Sequence, residues 1–385
     1  MDTVLFITDL HTGSHVVTLA GVYARAAAHN WRVIEIERDR TTRPLREFVA
    51  TWRPVGCIME CGKLTEPVDT RRFNIPIVYI DPDPVTLRRP CHAVTNDAAA
   101  LARRAAAELA ALRPAAYAYV GWCSPTSWSI DRGTAFRHEI AARHGACALY
   151  DTPWQDTFAV QKRLARWLAA QPRPLGVFAA NDYAAEQVAG ACTLAGLESP
   201  RDVAIVGVDN DELLCENSFP TLTSVQPDFK AAGCLAADLL ADLIRDPQLP
   251  PRRLTFGPLG LYRRQSTRIV NSNDSRIIHA VERIRRDACS GLTAADVLAE
   301  IGLSRRLAEK RFRAATGRTI LGEIQEVRFA RVLQLLRDTD LPIGQLAGLC
   351  GWESDSYLKR FFKKRTGLTP RAWRAQQTAA PGGRR

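Results

Sequence analysis

Residues 293–315, TAADVLAEIGLSRRLAEKRFRAA, and residues 342–365, PIGQLAGLCGWESDSYLKRFFKKR, are two versions of one pattern. Thr293–Ile301 reads as a short helix, Gly302-Leu303-Ser304 as a turn and Arg305–Ala315 as a second helix. Pro342–Cys350, Gly351-Trp352-Glu353, Ser354 and Asp355–Arg365 repeat that order. Gly302 can take the left-handed conformation that ends a helix, and Ser304 and Ser354 stand where a hydroxyl would cap the next one. Phe329, Val332, Leu333 and Leu336 follow the i, i+3, i+4, i+7 spacing of a helix joining the units, which Arg337-Asp338-Thr339-Asp340-Leu341-Pro342 ends. Ile277, Val281 and Ile284 give a helix ahead of both an apolar stripe. The expectation is an all-α domain with two helix-turn-helix units.

Charge points the same way. Residues 275–385 hold 22 Lys+Arg against 11 Asp+Glu, and residues 1–274 hold 30 against 30, so the net +11 lies entirely in the last part. A basic helical module behind a neutral one implies a polyanion partner. Two recognition helices on a rigid connector can enter successive major grooves about 34 Å apart, so double-stranded DNA with two half-sites per chain is expected. Arg305, Arg306 and Lys310 in the first helix, and Lys359 and Arg360 in the second, offer donors to base edges. Lys363, Lys364 and Arg365 suit phosphates, while Phe312, Leu358 and Phe362 suit the core.

At 385 residues the chain calls for two or three domains. Ahead of the helical part, short apolar strands at Val4–Thr8, Arg32–Ile36, Gly56–Glu60, Ile75–Ile80, Ala116–Gly121, Leu175–Ala179 and Val203–Val208 alternate with longer helices such as Val16–Ala28, Asp97–Leu112, Ile130–His144, Thr157–Ala170 and Ala184–Ala195. That alternation predicts parallel sheets covered by helices on both faces, two sheets at this length, with a ligand at the carboxyl ends of the strands. Asp9, Asp81, Asn181-Asp182 and Asp209-Asn210 follow strands. Each alone reads as a cap or turn residue. Together, carboxylates that accept and amides that donate and accept suit a neutral polyhydroxylated ligand. Trp122, Trp128 and Trp154 offer flat faces in the same loops.

Residues 201–210, RDVAIVGVDN, and 219–225, FPTLTSV, with 176–182, GVFAAND, and Arg132-Gly133-Thr134-Ala135-Phe136, resemble the LacI/GalR sugar-sensor module, a periplasmic-binding-protein-like fold. The resemblance covers about residues 3–266. It implies two lobes, about 1–93 plus 225–251 and 94–224 plus 252–266, joined by crossovers near Ala93, Val225 and Arg252 and closing on a sugar. By position it implies sugar contacts from Asp81, Arg132, Asn181 and Asp209, with Trp128 and Asp9 beside them; His11 fits the family poorly. Arg132 would donate a charge-assisted fork unless it only pairs with Asp131 or Glu139 at the surface. In the LacI/GalR family the DNA-binding helices precede this module, whereas here the sequence opens on the sensor's first strand.

After the polar stretch Arg263–Ser275, residues 276–375 resemble the AraC/XylS DNA-binding domain, on LPIGQLA (341–347), CGWES (350–354), YLKRFFKK (357–364) and GLTP (367–370). The resemblance implies base contacts from Arg305, Arg306, Glu309 and Lys310 and from Asp355, Ser356, Lys359 and Arg360; Ala308 stands where that family usually has Leu. The linker proper is expected at 267–275 and a disordered tail at 376–385. Sensor first and reader second, together with Trp128-Ser129-Ile130-Asp131-Arg132 and Glu309-Lys310-Arg311-Phe312, resemble the xylose-operon activators. That implies a sugar effector, D-xylose or another pentose, a homodimer, activation, and a contact with RNA polymerase.

Other function classes find less support. No GxSxG, HExxH, GxxxxGK[ST] or strand-following GxGxxG occurs, and the seven histidines do not cluster, so a sugar-active enzyme is not expected. The ten cysteines lack metal-site spacing and read as reduced thiols, so neither metal nor cofactor is expected. No apolar run of about 18 residues occurs, and the first residues read as a strand rather than a secretion signal, so a cytoplasmic protein is expected instead of a transport binding protein.

Overall fold

The structure is a computed structural model that describes residues 1–8, 13–38, 44–60, 73–82, 88, 90–123, 126–153, 155, 157–268, 274–339 and 341–378. Asp9, His11, Trp154 and residues 379–385 of the expected tail lie outside the described residues. The chain divides into two compact units, 1–268 and 269–385.

The first unit holds two six-stranded sheets. One has the order β11 (Arg253–Phe256), β5 (His92–Asn96), β4 (Ile77–Ile80), β3 (Gly56–Glu60), β1 (Asp2–Thr8), β2 (Trp31–Glu37), every pairing parallel. The other runs β12 (Pro258–Tyr262), β10 (Thr223–Pro227), β9 (Val203–Val208), β8 (Leu175–Ala179), β6 (Ala116–Trp122), β7 (Cys147–Thr152), with β12 antiparallel at its edge. Strands β8 and β9 are buried along their whole length, which is why they read as unbroken apolar runs: parallel strands are covered on both faces.

The lobes meet where the chain crosses between sheets. Asp97 ends β5 and caps α3 (Ala98–Ala110) through the Ala100 N–H at 2.8 Å, while Asp228 ends β10 and caps α8 (Phe229–Arg245) through the Ala231 N–H at 2.9 Å. The third crossover runs between them: Asp97 N donates to Phe256 O at 2.8 Å and Asp228 N to Gly257 O at 2.9 Å. The crossovers therefore fall at 97, 228 and 257, later than the expected Ala93, Val225 and Arg252. Strand 223–227 belongs to the second lobe and 253–256 to the first, because each strand completes its pairing before its cap turns the chain.

In the first lobe α1 (Gly13–Ala26) lies on α8 at backbone contact. A Cβ on Gly21 would sit 2.1 Å from Lys230 O, and one on Gly233 2.0 Å from Thr18 O. The chain leaves the second lobe through a buried polar network. Ser266 Oγ donates to Ile205 O at 2.6 Å, and Glu108 receives Arg263 Nε at 2.7 Å and Thr267 Oγ1 at 2.9 Å, so sensor structure continues to Arg268, past the expected end at 266.

The second unit is helical. α9 (Ser275–Asp287), α10 (Ala294–Ile301) and α11 (Arg305–Thr316) build one small core with Val281, Ile284, Val297 and Phe312; α13 (Ile343–Leu349), α14 (Asp355–Thr366) and α15 (Pro370–Thr378) build another with Leu346, Trp352, Leu358 and Phe362. α12 (Ile320–Asp338) gives Ile320 and Ile324 to the first and Phe329, Val332 and Leu336 to the second. Gly302 and Gly351 adopt φ of 65° and 71° at the two turns. Ser354 caps α14 through the Tyr357 N–H, but the Ser304 side chain makes no such bond, so only one of the two expected serine caps forms. Helix α15 extends through Thr378, into the stretch expected to be a tail.

Gly21→Ala and Gly233→Ala should each cost about 1–3 kcal/mol through overpacking of α1 on α8. Thermal melts of the full chain would check it, and an unchanged first transition in both variants would show that the contact can relax.

Candidate ligand site and nucleic-acid interface

The carboxyl ends of the strands in both sheets carry the polar residues expected of a ligand site. Asp81 follows β4 and Asp209 follows β9, and both hold a positive φ, 44° and 109°, which strains a non-glycine residue. Each still donates its N–H to the neighbouring strand at 2.9 Å, Asp81 to Val94 O and Asp209 to Val225 O. Strand pairing thus forces the turn that turns these side chains off the sheet. Asp81 Oδ1 accepts from Asn96 N at 2.9 Å and Asn96 Nδ2 at 3.0 Å. Burial pushes its carboxyl up to about 6, against those bonds and the charge of Arg132 from the other lobe.

Arg132 lies on α4 (Ser127–Ala141), 3% exposed. Its Nη1 donates to Ala180 O at 2.6 Å and sits 3.8 Å from Asp209 Oδ1, and its guanidinium lies 4.9 Å above the Trp128 ring. It is no surface ion pair with Asp131 or Glu139, and among the described residues its buried Nε has no partner. The adjoining Gly133 matters sterically: a Cβ there would sit 2.6 Å from Tyr119 Cε1, so the helix can lie on that ring only with glycine. Trp128 stands in the first turn of the helix, not in a loop, with one face under Arg132. Asn181 is buried and caps α6 (Asp182–Ala195) through the Ala184 N–H at 3.0 Å. Ser127 Oγ donates to Pro82 O across the lobes.

Asp182, read from the sequence only as part of a strand end, organises the Asp209 turn. Its oxygens accept from Ser224 Oγ at 2.6 Å and Asp211 N at 2.8 Å. Burial, then the charge of Asp209, raises it to about 7. Sequence reasoning also passed over His15 and Glu60, hydrogen-bonded at 2.8 Å in the first lobe. Glu60 ends an expected strand, but no local pattern marks its partner 45 residues away.

In the second unit Arg305, Arg306 and Lys310 are exposed on α11, as are Ser356, Lys359, Arg360, Lys363 and Lys364 on α14. Glu309 is partly buried and accepts from Ile320 N at 3.3 Å, tying α11 to the start of α12. Asp355 pairs with Lys359 at 2.7 Å along its own helix, an exposed pair of small energy. Arg365 pairs with Glu326 at 2.6 Å instead of standing clear for phosphate. Ala308 is fully buried and Leu307 partly exposed, so the alanine takes the core position.

A periplasmic binding protein-like domain model matches residues 106–267, and a helix-turn-helix domain model matches residues 297–376. The xylose operon regulatory protein of Escherichia coli K12 is 28% identical over 379 residues, 97% of this chain and 96% of that protein. The protein of that name from Haemophilus influenzae is 30% identical over 250 residues, 64% of this chain and 65% of that one. The solved structure of the xylose-binding transcription activator xylR aligns over 97% of this chain and 98% of its own, at 26% identity and a TM-score of 0.62. The chain joins a periplasmic binding protein-like sensor to a helix-turn-helix domain, the make-up of a sugar-responsive DNA-binding transcription regulator. The transcriptional regulator CelR in complex with cellobiose, 20% identical with a TM-score of 0.57 over 69% of this chain and 84% of that one, shares the fold.

The raised Asp182 carboxyl gives this regulator a pH signature. The folded state holds that proton more tightly than the unfolded chain, so the group's contribution to stability declines as pH rises from about 4 through about 7. Asp182→Asn removes the decline. The variant's melting midpoint relative to wild type should therefore improve between pH 5 and pH 8, and a constant difference would refute it.

Proposed function

We propose that this regulator binds D-xylose, or a close pentose, between the lobes of its sensor and thereby controls how its reader domains hold DNA. The carrying observation is the end-to-end similarity to a xylose operon regulatory protein, combined with a cleft where first-lobe Asp81 faces Arg132 of the second. In this reading Asp81 and Asp209 accept sugar hydroxyls, Arg132 donates through its unpartnered Nε, and Asn181 donates through the amide its capping role leaves over. Trp128 fixes the guanidinium plane and borders the ligand.

Reading of bases falls to Arg305, Arg306 and Lys310 on α11 and to Ser356, Lys359 and Arg360 on α14. Lys363 and Lys364 serve phosphates. Glu309 and Asp355, placed by resemblance among base contacts, have structural bonds already and act by orienting the helices. The regulator works in the cytoplasm as a homodimer, each chain spanning two half-sites, and activates transcription beside RNA polymerase. Among the described residues no helix is long and apolar enough to cross a membrane.

A thermal-shift panel of D-xylose, L-arabinose, D-ribose, D-galactose and their phosphates tests the sensor. D-xylose should raise the midpoint of wild type and not of Asp209→Ala, by binding linkage. A shift with no sugar of the panel would refute a simple-sugar effector. For the reader, Arg306→Ala and Arg360→Ala should each cost about 1–3 kcal/mol on a duplex selected from a random library and relax the preference at one position. Lys364→Ala should weaken all duplexes alike and lower the salt slope by about one; an unchanged slope would remove Lys364 from the phosphate contacts.

A further inference from the structure

The first lobe contains a charged cluster that the proposed sugar contacts do not use. Glu60 is the last residue of β3, beside the end of β1 at Thr8 and next to the strand that Asp81 follows. Its Oε2 accepts from His15 Nδ1 at 2.8 Å and Thr8 Oγ1 at 3.1 Å. The other ring nitrogen, His15 Nε2, lies 2.7 Å from Glu35 Oε1 on β2. A ring with an ionised carboxylate at each nitrogen must donate from both, and only the doubly protonated imidazolium can. His15 itself is 1% exposed, against Phe6 at a centroid distance of 5.4 Å.

A buried pair that served packing alone would satisfy both carboxylate oxygens. Here both bonds converge on one oxygen of Glu60, and no described residue bonds to Oε1. Close by, Asn96 Oδ1 is buried without a partner while the rest of that amide holds Asp81. Two open acceptors at the ends of β3 and β5, on either side of β4, call for hydroxyl donors. The charge of Glu60 also acts on Asp81, and the charge of Arg132 reaches Asp81 from the second lobe. Glu35, Glu60, Asp81 and Asp209 together outweigh His15 and Arg132 by two negative charges, a field that favours neutral polyols and repels anions.

We propose that Glu60 is a second ligand-binding carboxylate of the first lobe, selecting unphosphorylated, unoxidised sugars, and that His15 and Glu35 are its positioning residues. This rests on the sugar reading above. His15 holds its proton above the ordinary histidine range: burial opposes the charge, but the bonds and charges of Glu60 and Glu35 outweigh it. As the pH rises past that raised value the ring keeps only one N–H, so it can no longer donate to Glu60 and Glu35 together and Glu60 is held less firmly.

Calorimetric titration of the full chain with D-xylose tests the assignment. Glu60→Gln should bind about 10-fold to 100-fold more weakly, the loss of one hydrogen bond to a charged acceptor. It should also narrow the discrimination against D-xylonate and D-xylose 5-phosphate, a change that loss of packing would not produce. Wild-type affinity should fall as the pH rises past the ordinary histidine range, and His15→Asn should bind more weakly and lose that fall. If Glu60→Gln does not fold, Glu60→Asp and the wild-type pH profile carry the same test. Binding by Glu60→Gln within 2-fold of wild type, while Asp209→Ala loses the sugar, would overturn the inference and leave the sugar reading standing. A wild type that binds no sugar of the panel would overturn both.

Discussion

Two backbone hydrogen bonds set the geometry of the sensor. Asp97 N to Phe256 O and Asp228 N to Gly257 O lay three crossovers side by side, and the same two aspartates start the helices that return to each lobe. A side-chain cap is worth about 1 kcal/mol wherever it occurs. At a crossover it also decides where a strand stops, and so which lobe the strand belongs to. With three parallel connections, twisting or sliding would stretch at least one of them, whereas bending at the shared line strains none.

The sequence discloses what is local and periodic. Unbroken apolar runs such as Val203–Val208 announce strands covered on both faces, and the Gly302 and Gly351 turns announce the helix-turn-helix repeat. Strands β5, β7, β10, β11 and β12 were not recognised. His92–Asn96 and Cys147–Thr152 mix polar residues into short runs, Thr223–Pro227 ends in proline, and Arg253–Phe256 is an edge strand with two exposed positions. Their pairing is decided by partners far along the chain. The same holds in the site. Asp81, Arg132, Asn181 and Asp209 stood out as candidates because resemblance carries residue types at fixed places. Glu60 and His15 were not, since nothing in a stretch of sequence says that residues 45 apart will share a proton.

The reader solves a different problem. Each helix-turn-helix unit packs on residues of α12, whose 19 residues span about 28 Å. Arg328 adds to this by donating to Ala288 O and Leu292 O at 2.8 Å. The recognition helices α11 and α14 are thereby mounted on one rod. Cations on α14 lie outside the apolar stripe that packs Leu358 and Phe362, which leaves them for DNA at no cost to the fold.

Charge within the sensor links its parts to a switch. Arg132 of the second lobe, beside Asp209, lies near enough to Asp81 of the first for its charge to act on that carboxyl. A ligand shifts the balance between open and closed lobes only by the difference between its affinities for the two. A sugar bound by one lobe alone would have no such difference. A sugar whose hydroxyls reached Asp81 on one side and Arg132 and Asp209 on the other, as proposed above, would complete its contacts only with the lobes closed. The division of polar groups between the lobes, more than the strength of any one contact, is what lets binding be read by the chain that leaves the second lobe.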